Sequence, residues 1–238
     1  MRTMQERLTL TAIGCTGPIG KIFVDGLLDT GIDLRVLARD PDRVAAQYPA
    51  AQVMPGSMLK ADDVARAMQG ADAALLSTPI GPRNETSIEE EAARAVIDAA
   101  KQVHLPHLIY ISVIGIDRPT GIPVLDSKRE VEAMLAAGGL CWTSIRCGSY
   151  MEDVIGTRAA TLRRGIFLFP VTPERRFNFT YQGDVPRLVC ELLRQGHGVN
   201  GALDCIDPQT YSVAEVAQLL SETRGHHVTP SGKWPLTY

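Results

Sequence analysis

Residues 8–40 constrain this chain more than any other stretch. Leu8-Thr-Leu-Thr-Ala-Ile leads into Gly14-Cys-Thr-Gly17-Pro-Ile-Gly20, and Leu34-Arg-Val-Leu-Ala-Arg39-Asp40 ends the segment. This reads as a strand, a glycine-punctuated turn, a helix and a second strand with a cation at its end. The G-x-x-G-x-x-G spacing is a relative of the dinucleotide fingerprint, and its flanks supply the context that fingerprint needs. Gly14 suits the positive φ of a sharp strand-to-helix turn, and Gly17 lets backbone N–H groups approach a pyrophosphate. Gly20 lets the helix sit close to the sheet, and the positive end of the helix dipole then faces the phosphates. The turn as a whole, including Thr16, Pro18 and Ile19, is expected to hold a dinucleotide.

The rest of the chain continues the alternation. Ile19, Ile22, Phe23, Gly26 and Leu27 fall on one helical face, with Gly31 at the exit. Strands are expected at 34–38, 51–54, 73–77, 107–112 and 141–146. Between them, Asp62 is expected to cap one helix, and Ser87-Ile-Glu-Glu90 to form a capping box opening a second, 88–102. Asp126 or Ser127 starts a third, 128–137. The run Glu89, Glu90, Glu91 reads as acidic residues favouring a helix N-terminus. The fold class is therefore α/β, a doubly wound, mostly parallel Rossmann sheet. Beyond Gly148 the rhythm breaks. A helix at 150–164, aromatic strands at 166–169 and 177–180, a helix capped by Asp184, a strand at 202–206 and a capping box Ser212-Val-Ala-Glu215 read as a small C-terminal substrate-side lobe. The expected division is 1–148 for the core and 149–238 for a lobe continuous with it.

Arg39 carries the choice of cofactor. An acidic residue after the second strand serves a ribose 2′-hydroxyl, whereas an arginine accommodates a 2′-phosphate. Arg39, with Arg43 one turn on, favours NADP(H) over NAD(H); the alternative is a solvated arginine paired with Asp40 or Asp42. Ligands of open α/β sheets bind at the carboxyl ends of strands, so Ser77-Thr78-Pro79 after the fourth strand is expected beside the ribose and nicotinamide.

Composition excludes several classes. With 24 Lys and Arg against 27 Asp and Glu, the chain has no basic run of the kind nucleic-acid binding needs. The five cysteines are scattered without a C-x-x-C pair, which reads as reduced thiols and no metal site. His104 and His107 lack partners at ligand spacing and read as structural. No apolar run approaches the roughly 18 residues of a membrane span and Met1–Arg7 lacks a signal-peptide core, so a cytoplasmic protein is expected.

Taken together, these residues resemble the NmrA-like branch of the atypical short-chain dehydrogenases/reductases over nearly the whole chain. The resemblance rests on the glycine turn, Val36-Leu-Ala-Arg39-Asp40-Pro41, Leu76-Ser-Thr-Pro79, Asp126-Ser-Lys128 with Glu132, and Thr143-Ser-Ile-Arg146-Cys-Gly148-Ser-Tyr-Met-Glu152. Tyr181-Gln-Gly-Asp184-Val185 and Tyr211-Ser-Val-Ala-Glu215-Val216 extend it into the second lobe. It implies one of two functions: a reductase passing hydride to a quinone or other conjugated small molecule, or a non-catalytic NADP(H) redox sensor regulating a protein partner. It also implies that Lys128 bonds the nicotinamide ribose and that Ser112 belongs to the catalytic group.

Three departures qualify it. Val124 stands four residues before Lys128, where the family's dehydrogenases carry a proton-donating tyrosine, and valine has no proton to give. Tyr150 is the better substitute donor; Tyr110 reads as core. Ser57 follows the third strand where relatives carry Asp for the adenine amino group. The chain ends at Tyr238, short of many relatives, which implies a more open pocket or one completed by a partner subunit in an oligomer. Phe167, Phe169, Phe177 and Phe179 line a pocket or simply pack.

Overall fold

The computed structural model describes residues 7–78, 86–157, 159–169, 171–196 and 198–232. In chain order the elements are β1 (Thr9–Ile13), α1 (Pro18–Leu28), β2 (Asp33–Ala38), α2 (Pro41–Gln47), β3 (Gln52–Pro55), α3 (Ala61–Met68), β4 (Ala73–Leu76), α4 (Ser87–Gln102), β5 (Leu108–Val113), α5 (Pro123–Ala137) and β6 (Trp142–Cys147). There follow β7 (Ser149–Tyr150), α6 (Met151–Thr157), α7 (Ala159–Leu162), β8 (Ile166–Leu168), β9 (Arg176–Thr180), α8 (Asp184–Gln195), β10 (Gly201–Cys205), β11 (Thr210–Ser212), α9 (Val213–Arg224) and β12 (Thr229–Ser231).

Seven strands form one sheet in the order β10-β6-β5-β4-β1-β2-β3. The pairings β1–β2, β1–β4, β2–β3 and β4–β5 are parallel. The order reverses between β1 and β4, so the switch point of a doubly wound sheet falls where the glycine turn leaves β1. Helix cover on both faces explains the composition of the strands: all four residues of β4 are buried. The core beneath α3, α4 and α5 gathers Met68, Leu76, Val96, Leu108, Tyr110, Val131 and Leu135. Small residues on α4 (Ala92, Ala93, Ala99 and Ala100) are fully buried, which lets that helix approach closely.

Two compact units emerge, Met1–Arg146 with Gly183–Asp204, and Cys147–Gln182 with Cys205–Tyr238. Helix α8 and most of β10 thus return to the first unit. The physical reason lies in α1: a Cβ at Gly26 would come within 2.6 Å of Pro186 Cγ, so glycine there lets α8 pack directly on α1. In the second unit β11, β9 and β7 form one sheet and β12 pairs with β8. Phe169 stacks on Phe177 at 4.4 Å, and Phe177 meets Phe179 edge-on at 4.9 Å. These rings share one core cluster with Val154, Leu162, Val213 and Val216, and Phe179 also lines a cavity with Met151, Tyr211 and Leu220.

Several local expectations shift. The buried stripe of α1 is Gly20, Phe23, Val24 and Leu27, one step round from the expected face, and Ile19 is exposed. Helix α3 begins after Lys60, placing Asp62 in its first turn rather than at its cap. Helix α4 starts after Thr86 without a side-chain cap, so the box at Ser87 does not form; Glu90 turns instead toward Arg94 at 3.7 Å. Helix α5 begins at Pro123, upstream of Asp126, which holds the preceding loop by accepting hydrogen bonds from the Thr120 and Gly121 amides at 2.7 and 2.9 Å. Gly183 is the N-cap of α8 and Asp184 its first residue. Tyr150 lies in β7, paired with Thr180 of β9, not in a helix. The box at Ser212 and Glu215 forms in full.

Candidate cofactor and active site

The turn after β1 divides the work of its three glycines. Gly14 has φ +77°, and a Cβ there would fall on the carbonyl oxygen of Ser77. Gly20 lies against the backbone of Cys15, leaving no room for a side chain. Around a Cβ at Gly17, by contrast, nothing stands within 4 Å. Gly17 is also the N-cap of α1, contributes no side-chain hydrogen bond, and the first turn of that helix carries no acidic residue. The N-terminal end of the helix, with its orphan N–H groups and the positive end of its dipole, thus has open space beside Gly17, as a phosphate-binding helix start requires. Thr16 is half-buried within the turn, and the backbone of Pro18 opens the helix. Cys15 is fully buried, and burial pushes its thiol up to about 12, leaving it an unreactive packing residue.

At the end of β2, Arg39 is exposed and makes no ion pair or hydrogen bond among the described residues. Its neighbour Asp40 caps α2 by accepting from the Arg43 amide at 3.3 Å and pairs with the Arg43 side chain at 3.6 Å. The two arginines are therefore unequal: Arg43 is engaged and Arg39 is not. After β3, Ser57 Oγ accepts from the Leu59 amide, and the Ser57 amide donates to Asp63 Oδ2 at 3.0 Å. Asp63, absent from the sequence reading, places a carboxylate at this turn. The Ser57 amide and the Arg66 side chain hold its carboxyl below the usual range.

The carboxyl ends of β4 and β5 carry a polar cluster that the sequence reading missed in one essential member. Ser77 donates its amide to Ile13 O at 2.9 Å, tying the end of β4 to β1, and Thr78 follows. Lys128 on α5 donates to Glu89 Oε1 at 2.6 Å, to Thr78 Oγ1 at 3.1 Å and to Ile111 O at 3.3 Å. Glu89 is 2% exposed and also accepts from Tyr110 Oη at 2.9 Å, from Ser127 Oγ at 2.5 Å and from Thr78 Oγ1. Burial pushes its carboxyl up, but the charge and hydrogen bond of Lys128, joined by Ser127 and Thr78, outweigh burial and hold it below the usual range. Burial and the neighbouring Glu89 push the Tyr110 phenol well above its ordinary value, so Tyr110 stays protonated and donating.

Glu89 lies in the first turn of α4, where an acid favours the helix N-terminus, and in addition it is the buried partner of Lys128. Pro79 lies outside the described residues. Val124 sits on α5 one turn before Lys128, with no proton to offer. Ser112 is buried but stands outside the Lys128 cluster. Its Oγ makes no well-formed hydrogen bond among the described residues, the nearby Glu132 carboxylate being taken by Ser144 and bidentately by Arg146 at 2.6 and 3.1 Å. Tyr150 belongs to the second unit. Among the described residues no group of His, Cys, Asp and Glu could hold a metal, and no helix is long and apolar enough to cross a membrane.

A parallel sheet in the order 3-2-1-4-5-6 with an open glycine turn at its switch point defines a dinucleotide-binding Rossmann protein. The chain belongs to the NAD(P)H-binding family, whose model matches residues 14–167. It is 24% identical to the NAD(P)H azoreductase of Xenophilus azovorans over 220 residues, covering 92% of this chain and 75% of that one. To the photosystem II assembly factor Ycf39 of Cyanophora paradoxa it is 21% identical over 224 residues, 92% of this chain and 70% of the relative. The fold matches the NADPH complex of the NADPH-dependent quinone oxidoreductase QOR2 of Escherichia coli with a TM-score of 0.80, at 21% identity, covering 94% and 78% of the two chains.

Proposed function

We propose that this protein is an NADPH-dependent reductase that passes hydride to a quinone or another conjugated small molecule. The observation that carries the reading is the open cradle at Gly17, with an uncommitted Arg39 at the end of the adjacent strand. Gly14, Thr16, Gly17, Pro18, Ile19 and Gly20 hold the pyrophosphate, and Arg39 holds a 2′-phosphate. Ser57 with Asp63 receives the adenine, and Ser77, Thr78 and Lys128 receive the nicotinamide ribose. The cofactor supplies hydride when bound. What the chain supplies is placement, because hydride transfer depends on holding donor and acceptor in line. Val124 removes the usual acid, which favours acceptors that need none: hydride adds two electrons and one hydrogen to a quinone, and water supplies the second proton. The azoreductase and quinone oxidoreductase names of similar proteins support this substrate class.

The test is direct. Purified protein and NADPH are mixed with a panel of quinones and enones while the reduced-nicotinamide absorbance is followed. Oxidation with at least one acceptor class is expected. Tight NADPH binding without turnover on any of them would replace the reductase by the second reading, a redox sensor. Val124 and the assembly-factor name of a similar protein favour that alternative.

Cofactor preference has its own test. Arg39→Ala should weaken NADPH by about 10- to 100-fold, the size of a charge-assisted phosphate contact, and NADH by less than about twofold. Equal losses for the two would refute the 2′-phosphate role.

A further inference from the structure

We propose that Glu89 is the positioning residue for Lys128, and that by cancelling the ammonium charge at the carboxyl edge of β4 it lets one site hold both oxidation states of a nicotinamide with similar affinity. The inference rests on the NAD(P)H reading above.

The geometry points from Glu89 outward. Lys128 makes one short bond to a carboxylate, 2.6 Å, and two longer ones to neutral oxygens, 3.1 and 3.3 Å, and it is one of the longer pair that exchanges for a ribose hydroxyl when the nucleotide binds. Charge-assisted bonds are roughly twice as strong as neutral ones, so Glu89 is the anchor. Glu89 is itself fixed from three elements: Thr78 after β4, Tyr110 on β5, and Ser127 with Lys128 on α5. Three of the donors, Thr78, Tyr110 and Lys128, converge on Oε1 and the fourth, Ser127, holds Oε2, so both oxygens are engaged and the carboxylate is fixed in orientation. The cluster also sits at the right edge. Thr78 follows Ser77, which bonds the end of β1 and whose carbonyl abuts Gly14 of the glycine turn.

The charge argument is separate. An oxidised nicotinamide ring carries a positive charge that the reduced ring lacks. A lone buried ammonium would repel the oxidised form selectively, and strongly, because effective dielectric constants inside proteins are far below that of water. With Glu89 in contact the pair is neutral overall, and that selective repulsion is absent.

Equilibrium titrations with NADPH and with NADP+ test both parts on the full chain. Glu89→Gln keeps an acceptor for Lys128 and removes the charge. It should weaken NADP+ about tenfold more than NADPH. The double variant E89Q/K128M removes both charges and should return the ratio of the two affinities to the wild-type value while both ligands bind more weakly. Ser127→Ala removes one donor from Glu89 and leaves both charges. It should weaken both forms by a similar few-fold factor. A purely structural role would lower the melting temperature and leave these ratios alone. An unchanged NADP+/NADPH ratio in E89Q, or a ratio in the double variant equal to that of E89Q, overturns the charge role. Unchanged binding in S127A overturns the positioning role. Failure of the wild-type protein to bind either nucleotide would instead refute the cofactor reading beneath the inference.

Discussion

Gly17→Val should cost NADPH about a hundredfold or more in affinity while the free protein keeps its melting temperature to within a few degrees, an effect of the size expected when several backbone–phosphate hydrogen bonds are lost together. The separation of the two effects follows from local geometry. Gly17 has φ −86° and ψ 177°, a conformation open to any residue. A Cβ there meets nothing within 4 Å, so the fold has no objection to a side chain. The same empty space is where backbone N–H groups of α1 must come close to a phosphate, and two γ-methyls would hold the ligand away. Gly14→Ala is the informative contrast, since its positive φ and the Ser77 carbonyl leave no place for a methyl group. That substitution should lower stability before binding is even considered. Thermal melts paired with NADPH titration separate the cases; a Gly17→Val protein that binds NADPH normally would show that the phosphate site has been misplaced.

Those glycines also show what could be read from sequence and what could not. The turn, the alternation of strands and helices and the place of Val124 one turn before Lys128 are local facts, carried by spacing along a few residues. The role of Glu89 is not local, because its partners Thr78, Tyr110, Ser127 and Lys128 lie 11 to 39 residues away, and Glu90 and Glu91 beside it give the run the look of an ordinary helix start. A signal was nevertheless present. Glu89 falls three, four and seven residues before Ala92, Ala93 and Val96, all fully buried, so it lies on the inward stripe of α4. A carboxylate on an apolar stripe requires a buried partner, which in the structure is Lys128. The return of α8 to the first unit had no such signal. It depends on Gly26 meeting Pro186 across 160 residues, a contact that periodicity does not encode.

Lys128→Met should be the most destabilising single change at the site, lowering stability by about 3–5 kcal/mol at neutral pH, or roughly 10 °C in melting temperature for a protein of this size. The loss arises less from the contact removed than from what stays behind: Glu89, 2% exposed, with no cation beside it. The pH dependence carries the proof. In the wild-type protein the Glu89 carboxyl is held below its ordinary value, so its contribution is present above the unfolded carboxyl range and is lost as pH falls through the folded value. Without Lys128, burial is the largest influence on that carboxyl and raises it. A group raised on folding stabilises below the unfolded range and loses that contribution as pH rises through the folded value. The two proteins should therefore differ most near pH 7 and converge as the solution is acidified toward pH 5. Melts recorded across that interval check the sign. A gap that stays constant with pH would mean that Glu89 is neutralised by some other group, and the ion pair would lose its place at the centre of the site.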